Sequence, residues 1–177
     1  MKKTLLVSGL AITILSGGIA EARQADPLTA GAKRSYGIIK GYITRAAEKM
    51  PEEHYSFKPT PDVRSFGQLV GHVADAQYMI CAAAAGEKAP GGEGGEVEKS
   101  KTSKADLQKA LADSTAYCDK VFAAMTDAGG APTVKFFTGE MPKLSILEFN
   151  THHDFEHYGN MVTYMRLKGL VPPSSEK

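Results

Sequence analysis

The residues with the clearest capacity for chemistry lie near the end of the chain, in the segment from His152 to Asn160. If this segment is helical, His153 and His157 are four residues apart, so their side chains lie one turn apart on the same face. Two imidazoles in that arrangement can bind one metal ion without distortion of the backbone. A metal site needs at least a third protein ligand, and the simplest alternative is a pair of helix histidines that binds no metal.

A third histidine is predicted on a second helix. Ser65 is followed three residues later by Gln68, which is a capping box and predicts a helix that begins there and ends at Gly86. His72 falls on the apolar stripe of this helix, so its imidazole is predicted to point into the interior. For a single histidine in that position, the usual interpretation is a core residue with a satisfied hydrogen bond. The stripe comprises Leu69, His72, Ala76, Met79 and Ala83.

Together, His72, His153 and His157 predict a site of three nitrogen ligands for a divalent metal ion. Such a site leaves a position open for water or substrate, as catalytic metal sites do. Imidazole suits zinc, nickel and iron alike, so the residues do not identify the metal. Three nearby carboxylates are candidates for a general base or for orienting a ligand ring, with a solvated surface charge as the simpler alternative for each. These candidates are Asp75, Asp154 and Glu156.

The two other histidines are predicted to lie outside the site, with assistance from His152 as an open alternative. His152 is next to His153 and therefore about 100° away around the helix, at the flank of a bundle. His54 lies in a connection beside two glutamates and is expected to be exposed.

The remainder of the chain predicts an all-α four-helix bundle. Apolar residues recur every three or four positions in four stretches, which predicts helices over about 27–50, 65–85, 103–128 and 145–168. Ser145 and Glu148 form a second possible capping box at the start of the last helix. The glycine-rich segment 86–100 predicts a long, mobile crossover between the second and third helices. Residues 133–137 could form a short extended piece, but no strand is convincing.

The first 22 residues are typical of a secretory signal peptide. Lys2 and Lys3 precede an apolar stretch over residues 4–15, and Ala20-Glu21-Ala22 offers small residues at the cleavage positions. We therefore expect an exported protein, periplasmic or secreted, with one mature domain over residues 23–177. The apolar stretch is too short to span a bilayer, so no stable membrane anchor is expected after cleavage.

Charge and apolar surface limit the partners. The formal net charge of the whole chain is +1, and removal of the signal peptide leaves the mature chain neutral. A neutral chain lacks the basic surface needed to bind nucleic acid, so no such partner is expected. The second predicted helix also has a second apolar side, around Val70, Ala74 and Tyr78, which needs cover from a loop or from another copy of the chain. A homodimer is therefore a possible assembly.

The two cysteines, Cys81 and Cys118, leave two interpretations open. Export would permit a disulfide between them. However, Cys81 is predicted to face away from the apolar stripe of its helix, whereas Cys118 falls on the stripe of its own helix. Two separate buried thiols that pack as small hydrophobic groups are therefore the preferred interpretation.

The order and spacing of several segments resemble the DinB/YfiT-like superfamily of metalloenzymes. These segments span nearly the whole mature chain: 50–53, 64–76, the pattern His153-x-x-x-His157-x-Gly159, and 164–173. The resemblance implies a four-helix bundle in which three histidines hold a divalent metal, here His72, His153 and His157. It therefore implies the same three ligands as the spacing of the histidines on the predicted helix faces.

The same resemblance implies several chemistries. The superfamily contains transferases that use low-molecular-weight thiols, a thiol-dependent isomerase, and many members classed as hydrolases. This chain departs from the pattern after the last histidine, where it has Tyr158-Gly159-Asn160 in place of the common Arg-Gly-Gln. Export also makes a cytosolic thiol cofactor less expected. We expect a metal-dependent enzyme, hydrolase-like or thiol-transferring, that acts on a small molecule; the alternative is a non-catalytic metal-binding or interaction bundle of the cell envelope.

Overall fold

A computed structural model describes residues 26–90, 92 and 94–177; the predicted signal peptide and its cleavage site lie outside these ranges. Short 3-10 turns at Glu52–His54 and Pro173–Ser175 supplement the regular elements. In chain order, the regular elements are helix α1 (Pro27–Lys49), helix α2 (Phe66–Ala85), helix α3 (Glu96–Ser100), helix α4 (Lys104–Ala124), helix α5 (Asp127–Gly130), strand β1 (Thr133–Phe136), strand β2 (Gly139–Pro142) and helix α6 (Lys143–Leu167).

The four long helices pack as a ring, in which α2 contacts α4 and α6, and α1 contacts the same two helices from the opposite side. The predicted all-α bundle is therefore confirmed. Strands β1 and β2 form an antiparallel hairpin that the sequence predicted only in part, as an extended piece over 133–137. None of the helices among the described residues has the length and apolar character needed to cross a membrane.

Capping explains where α2 begins and ends. The Ser65 side chain accepts a hydrogen bond from the Gln68 backbone N–H at 3.1 Å, and the Gln68 side chain accepts one from the Ser65 N–H at 2.9 Å. The helix ends at Gly86, whose φ of +79° favours glycine. The second predicted box, at Ser145, is wrong: α6 begins at Lys143, because the hairpin leads the chain directly into the helix.

Helix α2 is buried on more sides than its predicted stripe. Val70 and Ala74 have no exposed surface, because α3 and α4 cover the side of α2 that was predicted to be open. An apolar helix that is buried around most of its circumference is a central helix of the fold. The apolar surface that suggested a homodimer is therefore covered within one chain, and dimerisation remains a prediction without that support.

The packing of α2 against α4 also joins the two cysteines. Cys81 and Cys118 form a disulfide, with their Cα atoms 5.5 Å apart, and both residues are fully buried. The preferred interpretation of two separate thiols was wrong. It assumed that only one side of α2 faces the interior, whereas Cys81 faces α4.

The glycine-rich segment contains a packed element that was not predicted. Helix α3 lies at its end, close against α2, at a position where α2 carries Gly71. A Cβ atom added to Gly71 would lie 2.8 Å from Cα of Glu98, so glycine is required for this approach. The Asp75 carboxylate accepts hydrogen bonds from the backbone N–H groups of Val97 at 3.0 Å and Glu98 at 2.9 Å. Asp75 thus holds the start of α3 in place.

Candidate metal centre

His72 on α2 and the pair His153 and His157 on α6 bring their Nε2 atoms together. The Nε2 atom of His153 lies 3.2 Å from that of His72 and 3.0 Å from that of His157. One ligand nitrogen from each of the three residues lies within 4.8 Å of the other two. The structure therefore unites the three histidines that the sequence singled out, and their arrangement could hold one metal ion.

The donor set fits a divalent transition metal. All three donors are imidazole nitrogens, which suit zinc, nickel, iron or copper and leave the identity of the metal open. The Nδ1 atoms of His153 and His157 are buried and have no hydrogen-bond partner among the described residues. Among the described residues, the polar contacts of these two rings are therefore those of their Nε2 atoms at the shared centre.

The electrostatic environment keeps the three rings uncharged. Burial, followed by the charges of His72 and Arg64, lowers the pKa of His153 to about 4. Burial and the neighbouring imidazoles lower the pKa of His157 to about 3. The pKa of His72 is also lowered, mainly by burial and then by Arg64, although Glu98 opposes that shift. Neutral imidazole is the form that binds a metal.

Glu98 is a partner of the site that the sequence did not indicate. Its Oε2 atom lies 3.2 Å from Nδ1 of His72, and its Oε1 atom accepts a hydrogen bond from Nε of Arg64 at 2.9 Å. A carboxylate at Nδ1 places the proton of a neutral imidazole there, so the Nε2 lone pair faces the shared centre. Glu98 stands on α3, inside a segment that was predicted to be a mobile loop. Nothing in the sequence around it therefore indicated a contact with a histidine.

The three predicted carboxylates differ in burial and in hydrogen bonding. Asp75 is buried and both its oxygens accept the α3 backbone hydrogen bonds, whereas Glu156 is exposed. Asp154 is fully buried and accepts a hydrogen bond from Gln77 at 3.1 Å; burial raises its pKa to about 8, against the effect of that bond. Among the described residues, none of the three hydrogen-bonds to a ring of the histidine site.

The two remaining histidines do not reach the centre. His152 is exposed on α6, at the flank where it was predicted. His54 is partly buried in the first 3-10 turn, so the expectation that it is exposed was wrong.

Two cavities adjoin the histidines. The first has a volume of about 400 Å³ and is lined by His72, His153 and Asp75 together with apolar side chains. The second has a volume of about 620 Å³ and is lined by His157, with the connection 58–64 and polar residues of α6. Arg64 and Glu98 line both cavities. A small molecule could therefore reach the centre from either side.

Comparison with known proteins relates this chain to a family. Residues 41–161 match the family model of the DinB superfamily. A DinB-like protein from Bacillus cereus ATCC 10987 is 21% identical, with a TM-score of 0.69 over 81% of this chain and 95% of that chain. A DinB-like protein from Bacillus subtilis is 19% identical, with a TM-score of 0.66 over 83% of this chain and 99% of that one. No match was found among curated proteins.

A similar fold also occurs in an enzyme. The mycothiol-dependent maleylpyruvate isomerase is 14% identical to this chain, with a TM-score of 0.62. The match covers 75% of this chain and 60% of the isomerase. At this identity, the likeness establishes the fold alone.

Proposed function

The chain belongs to the DinB superfamily, and on that basis we propose that it is an exported, metal-dependent enzyme that acts on a small molecule. The observation that carries the proposal is the approach of the three Nε2 atoms, at 3.2 Å and 3.0 Å, beside two cavities. Three neutral imidazoles with access for a small molecule are the ligand arrangement of a catalytic site rather than of a closed structural one.

His72, His153 and His157 would hold the metal, and a bound divalent ion supplies a Lewis acid that polarises an oxygen or sulfur atom of a substrate. Glu98 would fix the orientation and tautomer of His72 through Nδ1. The Arg64 guanidinium is held beside the site by its hydrogen bond to Glu98. These contacts orient His72 before any substrate arrives.

Glu156 is the candidate for proton transfer. It lines the second cavity next to His157 and is exposed, so its carboxylate is accessible to a molecule bound there. Asp75 is a weaker candidate, because both of its oxygens already accept backbone hydrogen bonds. A positioning role for Asp75, through α3 and Glu98, is the better proposal.

Hydrolytic chemistry is the first reaction class to test. The isomerase with a similar fold uses mycothiol, which keeps thiol transfer as the second class. Of the residues that depart from the family pattern, Tyr158 is buried and hydrogen-bonded to Ser174, away from the site, whereas Asn160 lines the second cavity. Asn160 could therefore contact a substrate, and Tyr158 has a structural role.

Two features support export. The first is the signal-like sequence of residues 1–22, which lies outside the described residues. The second is the buried disulfide between Cys81 and Cys118, since disulfides persist mainly in oxidising compartments. Intact-mass measurement of the protein from its native host should find a chain that starts at Arg23, and a full-length cytoplasmic chain would contradict export.

Activity can be tested on mature protein loaded separately with zinc, nickel and iron(II). Each form is assayed against ester, amide and thiol-transfer substrates, with the His157→Ala variant as the inactive control. We expect turnover by at least one metal form that is lost in the variant. Stable metal binding without turnover in any form would favour the alternative, a non-catalytic metal-binding protein of the cell envelope.

A further inference from the structure

We infer that the first cavity binds an aromatic group of the substrate and holds it beside His72 and His153. The inference rests on the proposed function and adds a substrate class to it. The cavity has a volume of about 400 Å³, which is sufficient for a substituted benzene ring. It is bounded by α2, the hairpin and α6. Its apolar lining comprises Ala76, Met79, Ile80, Phe137 and Phe149.

The aromatic residues of this cavity are arranged to receive another ring. The Phe149 ring lies at 29° to the His153 ring, with 6.5 Å between centroids. Phe137 meets Phe149 edge-on, with 5.9 Å between centroids and 71° between planes. Edge-to-face and offset-stacked contacts are the favoured geometries of aromatic pairs, so a ligand ring here would find both a face and an edge.

Two large apolar side chains remain accessible at this position. Phe149 is 36% exposed and Phe137 is 59% exposed, although both rings pack against the buried Phe136. Phe137 stands at the turn of the hairpin with a φ of +48°, a conformation that is rare for a bulky residue. The hairpin thus presents an aromatic ring at the cavity instead of the glycine or asparagine that such a turn favours.

The polar residues of the cavity indicate where the polar group of the ligand would lie. His72, His153, Arg64, Asp75 and Glu98 also line the first cavity, and Arg64 and Glu98 line the second as well, together with Glu156 and Asn160. A ligand whose ring occupies the first cavity would place its polar group at the histidines. The inferred class is therefore an aromatic compound whose polar functional group directly adjoins the ring.

A pair of hydroxamates tests this inference without requiring turnover. Benzohydroxamate and acetohydroxamate share one metal-binding group, which carries a phenyl ring in the first and a methyl group in the second. Their dissociation constants are measured by calorimetry on zinc-loaded mature protein, on Phe149→Ala and on Met79→Ala. The control is Phe155→Ala, because Phe155 is 42% exposed on the same helix but does not line the cavity.

We expect benzohydroxamate to bind on the order of tenfold more tightly than acetohydroxamate, since part of the ring leaves water. Phe149→Ala and Met79→Ala should reduce this ratio toward one, whereas Phe155→Ala should preserve it. The dissociation constant of acetohydroxamate shows whether the metal centre is intact in each variant. If Phe149→Ala disturbs His153, the result for Met79→Ala is the one that tests the inference.

Equal binding of the two hydroxamates by the wild-type protein would overturn the inference. A ratio that survives in both cavity variants would also overturn it. Failure of the wild-type protein to bind zinc would instead overturn the proposed function, and the inference with it.

Discussion

The Nδ1 atom of His72 lies 3.2 Å from Oε2 of Glu98, which stands on a short helix inside a glycine-rich connection. This contact ties His72, the candidate ligand on α2, to α3, which packs against the same helix. Asp75 holds the start of that helix, and Gly71 allows it to approach. The centre therefore depends on α3 as well as on the two long helices that carry its histidines.

Glu98→Ala should weaken metal binding about 10–100-fold, the range typical of losing a partner that orients a metal ligand. Without the carboxylate, the His72 ring can rotate and can place its proton on Nε2. Metal affinity is measured by competition with a chelator. Glu96→Ala is the matched control, since Glu96 is exposed on the same helix. Equal affinity in the wild-type protein and Glu98→Ala would show that the contact does not orient His72.

Gly71→Ala should displace α3, because the added methyl group would lie 2.8 Å from Cα and 3.0 Å from N of Glu98. We expect a loss of about 1–3 kcal/mol in the free energy of unfolding, the cost of overpacking, and weaker metal binding. Urea denaturation of metal-free protein measures the first effect. Gly37→Ala is the control: nothing lies within 4 Å of the added atom, and alanine favours the helix. Similar stability of both variants would contradict the close approach of α3.

Removal of the disulfide by Cys81→Ala with Cys118→Ala should lower the free energy of unfolding by about 2–4 kcal/mol. The bond closes a loop with a sequence separation of 37 and joins α2 to α4. A reducing agent should shift the urea midpoint of the wild-type protein and leave that of the double variant unchanged. A wild-type protein insensitive to reduction, with two titratable thiols after unfolding, would show that the bond does not form.

Metal-free protein should lose stability as the pH falls below 6.5. The pKa of His153 in the folded state is about 4 and that of His157 is about 3, so the unfolded chain binds protons that the folded chain does not. Stability is therefore fully present above pH 6.5 and is lost progressively down to about pH 3–4. Because Asp154 titrates in the opposite sense, the comparison is with the double variant His153→Asn, His157→Asn. Identical pH profiles for the two proteins would contradict the burial of these rings.

The sequence predicted those parts of the site that depend on local periodicity. The spacing of His153 and His157 and the stripe that contains His72 were sufficient to place three imidazoles in one bundle. The capping box at Ser65 set the start of α2 and hence the position of His72 along it. These features are visible because a helix repeats every 3.6 residues, whatever packs against it.

The remainder depends on which helices are neighbours, which periodicity does not specify. Cys81 was assigned to an outward face because α2 was given one buried side, although a helix that is apolar all round is typically central. Glu98 was missed because glycines dominate its segment. Asp75, which holds the start of α3, and Gly71, which allows α3 to approach, both lie on α2. Contacts of this kind appear only when the tertiary structure is known.

The most direct test of the three-histidine metal site is the metal content of the protein over residues 23–177, purified without an affinity tag. Mass spectrometry should find close to one divalent metal ion per chain in the wild-type protein. His72→Ala, His153→Ala and His157→Ala should each lose most of it, because each removes one of three ligands. His152→Ala should retain it, since His152 is exposed at the flank of the same helix. Wild-type metal content in the three ligand variants, or an equal loss in His152→Ala, would contradict the assignment of the centre.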